Sequence, residues 1–297
     1  MLSLEFVLNA ITLGSLCALL ALGLVIVYGI LKLVNFAYGE LIMVAGYTLY
    51  LLNEFLPLPW LGMAVVAIFV AMLTSFLTEI VAFRPVRTKS LTAMLITSFA
   101  VSTLLQNAAL LIISPRARAV PLPKIFSASV TIWDISVPWR NILTIVISLA
   151  LLIGLNLLLR KTILGIALRA AANNFRMTRL LGVPANLVIS TAFLISGLLA
   201  GIVALFWVGR TASVTPTIGG SPLLIAFVAT VIGGMNNLVG AVVGGYIYGI
   251  IFSFLGILLP QSLLDYREAF MFLVVILILL FRPEGLIRGA GTGERVG

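Results

Sequence analysis

The sequence predicts an all-α fold: a polytopic transmembrane helical bundle of about eight to ten membrane helices, with one or more broken or re-entrant segments. Three observations predict it. Of 297 residues, 62% are apolar and only 9% are charged, against roughly 25% charged in an ordinary soluble domain. The charges are bunched, so that residues 6–31, 60–78, 90–115, 141–159, 180–209 and 211–264 carry none. Those runs are continuously apolar and rich in Leu, Ile and Ala, which is the pattern of spanning helices and not the alternation of a membrane barrel.

Taken in order, the first run predicts a helix over 4–31. Glu5 and the lack of a basic region before that run mark a first spanning helix rather than a cleaved leader. Further helices are predicted over 36–53, 60–83, 90–113, 140–159 and 186–208. The 54-residue charge-free stretch 211–264 is more than twice the roughly 20 residues of a span, so it must hold more than one element. It divides into helices over 222–236 and 238–259, and a last helix runs over 264–281. Segment 222–236 is only about 22 Å long against a hydrocarbon thickness near 30 Å, so it is either a short span or half a helix that re-enters, and re-entry would reverse the side of everything after it. Nine membrane segments result, and the chain is expected to be a single transmembrane permease domain over 1–297.

The basic residues orient the bundle. With the N-terminus outside, twelve of the 18 Lys and Arg residues fall on the inner side, in the connections after 31, 83 and 159 and in the tail after 281. Six fall outside, namely Arg116, Arg118, Lys124, Arg140, Arg210 and Arg267. This bias predicts the N-terminus outside and the C-terminus inside. The external loop at about 114–140 is long enough to fold. Val130 and Ile132 alternate around Thr131, and Ile135 and Val137 around Ser136, which predicts a small cap or hairpin at the membrane surface.

Several function classes drop out. The chain has no His and one Cys, Cys17, which removes His-based triads, disulfides and most metal sites. The net charge of +9 comes from residues flanking apolar segments, as membrane orientation requires, so no nucleic-acid partner is expected. No GxxxxGK followed by Ser or Thr occurs, so no P-loop is present. The reading is a non-enzyme that binds no cofactor itself, with any ATP hydrolysed by partner subunits. A secondary transporter or channel working without a motor is the rival reading.

The segment from Arg160 to Pro184 is polar enough to leave the bilayer yet patterned as a helix. Leu164, Leu168, Ala171 and Phe175 define one face, while Arg169, Asn173 and Arg176 line another. Gly182 is placed to end this cytoplasmic helix in a left-handed conformation, and Pro184 prevents its continuation. A basic amphipathic helix suits anionic headgroups or a docking partner, and pattern alone does not separate the two.

Uncharged and acidic groups at membrane depth are the other candidates. Asn35 and Glu40 interrupt apolar sequence; Asn35 suits a helix cap, and Glu40 suits either the helix N-terminus or a translocation path. Gln106, Asn107, Asn236 and Asn237 could line a path or make interhelical hydrogen bonds. Glu79, five residues before Arg84, reads as half of an interfacial ion pair. Gly197 with Gly201, Gly240 with Gly244, and Gly245 with Gly249 have the GxxxG spacing of close helix packing. Asn35, Gly39, Gly46 and Tyr47 find a faint echo in Asn236, Gly240, Gly245 and Tyr246.

The segments TLGSLCALLALGLVIVYGILKLVNFAYGELIMVAGY (12–47), FRPVRTKSLTAMLITSFAVSTLLQN (83–107), GIALRAAANNFRMTRLLGV (165–183) and AFVATVIGGMNNLVGAVVGGYIYG (226–249) resemble the branched-chain amino acid ABC transporter permeases. The resemblance implies a second permease subunit, two cytoplasmic ATPases and an external substrate-binding protein as partners. It also implies a place in a bacterial cytoplasmic membrane. It would make the helix at about 164–182 the coupling helix, with Gly165, Arg169, Asn173, Asn174, Arg176 and Gly182 at the ATPase contact. Asn35, Glu40, Gln106, Asn107, Asn236 and Asn237 are the candidates for the translocation path. Tyr38 stands where the family often has His in its NFAHGE pattern. Permeases for urea and short amides look similar, so such solutes are the alternative to branched-chain amino acids.

Overall fold

The computed structural model describes residues 4–287 apart from 57, 88, 124, 125, 127, 133, 134, 236 and 284. Ten α-helices occur among them: α1 (Leu4–Leu31), α2 (Tyr38–Phe55), α3 (Trp60–Thr78), α4 (Leu91–Ile112), α5 (Trp139–Lys161), α6 (Ile163–Leu180), α7 (Ala185–Thr211), α8 (Gly220–Gly233), α9 (Leu238–Leu258) and α10 (Arg267–Phe281). The chain is an all-α polytopic membrane protein. Six of the described helices, α1, α3 with its extension, α4, α5, α7 and α9, are long and apolar enough to cross a membrane. The other three expected membrane segments also form helices but fall short of that standard. α2 is diluted by Glu40, Asn53 and Glu54, while α8 has 14 residues and α10 has 15.

Helix ends follow local chemistry. α2 begins at Tyr38 instead of residue 36 because Asn35 turns the chain first: its Oδ1 accepts from the Ala37 N–H at 3.1 Å, and its carbonyl accepts from Tyr38 at 3.2 Å. α3 continues through a π-helical turn, Glu79–Phe83, closed by the Arg84 N–H donating to the Glu79 carbonyl at 2.7 Å. α6 stops where expected, since Gly182 has φ 84° and Pro184 follows. α8 ends at Gly233, earlier than predicted, because Gly234 takes φ 108°.

Two short antiparallel pairs decorate the loops. β1 (Arg118–Ala119) pairs with β4 (Ser213–Val214), and β2 (Ser129–Ile132) forms the expected hairpin with β3 (Ile135–Pro138), with Val130 opposite Val137.

The chain divides into two compact units. The first holds Met1–Val25, Ile125–Asn156 and Ile225–Gly297. Within it, α1 and α9 pack backbone to backbone. A Cβ built on Gly245 falls on the Ala18 backbone, and one on Gly249 falls on Gly14. Beside this seam the Ser15 and Tyr246 hydroxyls lie 3.1 Å apart. Gly240 and Gly244 of the same helix meet Gly233 and Ala229 of α8 in the same way. Glycine is required at these positions because only a bare Cα lets two helices approach so closely in an apolar medium.

The second unit holds Ile26–Lys124 and Leu157–Leu224. Its centre is the packing of α3 on α7, where Gly197 faces Ala71 and Ser75 and Gly201 faces Ile68. The Ser75 hydroxyl donates to the Phe193 carbonyl at 2.6 Å, so a polar group within the seam is satisfied across it. All three glycine pairs therefore serve packing.

Candidate functional site

The approach to α2 places its only buried acid. α1 ends at Leu31, Lys32 takes φ 55°, and residues 33–37 are not helical although Leu33, Asn35 and Ala37 are buried. Phe36 stacks on Phe99 with ring centroids 4.0 Å apart. Phe99 lies eight residues into α4, about 12 Å from its start. α2 thus begins partway along α4, and its first turn faces Ser102 and Gln106. These two are four residues apart, so they share one side of α4.

Glu40 sits in that first turn and is 1% exposed. Its Oε1 accepts from Ser102 Oγ at 2.9 Å and from Gln106 Nε2 at 2.7 Å. Oε2 is buried and has no hydrogen-bond partner. On the other side, the backbone of Gly39 touches that of Gly219, one residue before α8 begins. The side chain of Glu40 thus faces α4, while the backbone beside it meets the residue that precedes α8.

The other path candidates separate. Asn107 is exposed and donates to the Thr103 carbonyl of its own helix at 2.8 Å. Asn237 caps α9, accepting from Val239 at 2.9 Å and Gly240 at 3.2 Å. Asn35 makes the turn described above, its Oδ1 likewise accepting from the N–H two residues on. Asn236 lies outside the described residues. Ser102 was not among the candidates, although its spacing from Gln106 was a usable signal.

A second polar cluster lies at the other end of α3. Glu79 is fully buried; its Oε1 accepts from Arg87 Nη1 at 3.4 Å and its Oε2 from Ser190 Oγ at 2.8 Å. Arg87 also donates to Asn186 Oδ1. The expected partner, Arg84, is exposed instead. Five residues is about 1.4 helical turns, which sends Arg84 off the Glu79 side, while the turn after Phe83 folds Arg87 back.

The third feature is α6. A Cβ on Gly165 would fall on the backbone of Leu158 and Leu159, so the glycine allows α6 to fold tightly against the end of α5. Thr162 caps the corner, its Oγ1 accepting from the Gly165 N–H at 3.0 Å. This turns Gly165, Leu168, Ala171 and Thr178 inward. Leu164, expected on the buried face, is 44% exposed, because the corner at Gly165 rotates the buried stripe by one position. The outward side carries Arg169 together with Ile163, Ile166, Met177, Leu180 and Leu181. Asn173, Asn174 and Arg176 lie on α6 with side chains outside the described residues, and Gly182 forms its exposed end.

Long apolar helices seamed by glycine, a carboxyl group held between helices by neutral donors, and a short amphipathic helix between two spans are the features of a multi-pass membrane transport protein. The sequence profile of the family described as "Branched-chain amino acid transport system / permease component" matches residues 6–279. The high-affinity branched-chain amino acid transport system permease protein BraD of Pseudomonas aeruginosa is 32% identical over 296 residues, covering 96% of this chain and 95% of BraD. LivH of Escherichia coli, of the same description, is 30% identical over 292 residues, covering 94% and 93%. A probable branched-chain amino acid transport permease protein LivH of Methanocaldococcus jannaschii is 30% identical over 291 residues. No solved structure matches. The chain belongs to the branched-chain amino acid transport system permease family.

Proposed function

We propose that this chain is the membrane-spanning subunit of a binding-protein-dependent ABC importer that carries branched-chain amino acids by alternating access. The observation that carries this is similarity to BraD and LivH along nearly the whole chain, through every helix from α1 to α10. A single permease domain over 1–297 is the corresponding organisation, with the N-terminus outside and the C-terminus inside a bacterial cytoplasmic membrane. Its partners are a second permease, two cytoplasmic ATPases that hydrolyse the ATP, and an external binding protein received at the loop 114–140.

The motion enters through α6. Its outward side combines Arg169 with exposed Ile163, Ile166, Met177 and Leu180, which supports docking into a groove on a soluble partner over floating on headgroups alone. With only 9% of its residues charged and 62% apolar, the chain has little from which to build a tight polar pocket, so affinity and selectivity reside in the binding protein.

The test is reconstitution in liposomes with the ATPases, the second permease and the binding protein. ATP-dependent accumulation of leucine, isoleucine or valine is expected, and the purified chain alone should hydrolyse no ATP. Accumulation by this chain alone, without the motor subunits, would sink the reading.

A further inference from the structure

Resting on that reading, we infer that the free oxygen of Glu40 is a transient acceptor for the α-ammonium group of the amino acid in transit. The carboxyl group is 1% exposed and lies between α2, α4 and the start of α8. One oxygen is engaged twice, by Ser102 and Gln106, while Oε2 is buried and has no partner. A buried polar atom in that condition is uncommon in a native fold. If the group were protonated, its hydroxyl would need an acceptor; if ionised, its lone pairs need a donor.

The surroundings select between these. Both hydrogen bonds to Oε1 are donated by neutral groups, and no acceptor for a carboxyl proton lies within hydrogen-bond reach of Oε2, so the geometry is built to accept and not to donate. What complements an anion already served by neutral donors is a positively charged donor. A branched-chain amino acid offers one such group, its ammonium; its side chain is apolar and its other end is itself an anion. A single charged contact of this kind recognises an amino acid without holding it tightly.

Gly39, one residue before Glu40, meets Gly219 backbone to backbone, with no side chain of either residue interlocking there.

The experiment uses the full reconstituted complex with radiolabelled leucine, reading uptake per ATP hydrolysed. Glu40→Gln keeps the shape and one acceptor oxygen but removes the charge. We expect uptake per ATP to fall by about tenfold or more, with binding-protein-stimulated ATP hydrolysis within about twofold of the wild type. Gly154→Ala, where nothing lies within 4 Å of the added methyl, leaves the site untouched and should hold uptake within about threefold. Should Glu40→Gln not assemble, the same ratio is read on Glu40→Asp, which withdraws the charge by one methylene; a raised KM for uptake with intact assembly is expected.

Unchanged uptake per ATP in the assembled Glu40→Gln complex, or in the Glu40→Asp complex read in its place, overturns the inference and leaves Glu40 as interhelical packing served by water. So does a parallel loss of assembly, hydrolysis and uptake in Glu40→Gln and Glu40→Asp alike, which marks the side chain as structural. A wild-type complex that accumulates no branched-chain amino acid at all fails the functional reading instead, so the two failures are distinguishable.

Discussion

Substituting Gly245 by Ala tests how closely α1 and α9 approach. The added methyl would fall on the Cα and N atoms of Ala18 and within 2.7 Å of the Cys17 carbonyl carbon, all of them backbone. Backbone cannot swing aside as a side chain would, so the helices must part. Overpacking of this kind costs about 1–3 kcal/mol. Parting them also loosens the Ser15–Tyr246 hydroxyl pair, worth about 0.6 kcal/mol between helices in a membrane. Gly-to-Ala within a helix brings a propensity gain of about 1 kcal/mol, which would mask part of the loss. Gly154 of α5 provides the control, because nothing lies within 4 Å of the Cβ it would carry. The two variants share the propensity term, so their difference isolates the clash. Gly245→Ala should be less stable than Gly154→Ala by about 1–3 kcal/mol in reversible unfolding from mixed micelles. Equal stabilities would mean that the seam does not depend on a bare Cα.

Three further outcomes are expected. Arg87→Ala leaves the buried Glu79 without its cation and should cost about 3–5 kcal/mol; in a double-mutant cycle with Glu79→Gln the losses should fall well short of additive, and strict additivity in thermal melts of the detergent-purified protein would contradict the ion pair. Replacing Arg169 and Arg176 together by Glu should abolish ATP-driven uptake while membrane insertion, read by protease protection, stays normal; normal uptake would leave α6 as a headgroup-bound helix only. Ala212 closes α7 with φ 51°, a left-handed conformation that costs a residue with a Cβ about 1–2 kcal/mol. Ala212→Gly should therefore raise the melting temperature, and a lowered one would count against that strain.

Much of the helical framework was legible because membrane helices are specified by long-range monotony. Runs without charge cannot be anything else in lipid, and α1, predicted over 4–31, occupies Leu4–Leu31. What needed three dimensions were the pairings. Glu40 meets Ser102 and Gln106 across 62 and 66 residues, and that meeting depends on α2 starting partway along α4, which hydropathy does not encode. Glu79 found Arg87 rather than Arg84 because a π-helical turn and a tight bend intervene, neither of which has a residue signature here. The Asx turn at Asn35 was readable; its effect, delaying α2 by two residues, was not. The two-residue pairing of β1 with β4 is too short to leave any periodicity.

The elements that fail as spans are the ones that gather polar chemistry. α2 is too polar, and α8 has 14 residues, about 21 Å. In lipid, an interrupted helix is tolerated only where its exposed backbone groups find partners in protein or in water. Residues 33–37 and 215–219 are such interruptions, and their turns are closed by Asn35, Thr215 and Thr217. They converge where Gly39 touches Gly219, one residue from Glu40. A chain selected only for membrane stability would extend both helices and replace Glu40 with an apolar residue, because a carboxyl group at this depth costs about 2.5–3.5 kcal/mol. Retaining the breaks, the glycines and the acid together makes mechanical sense if this junction opens during transport: short helices shift with less repacking than full spans, and the acid then meets water or solute instead of hydrocarbon.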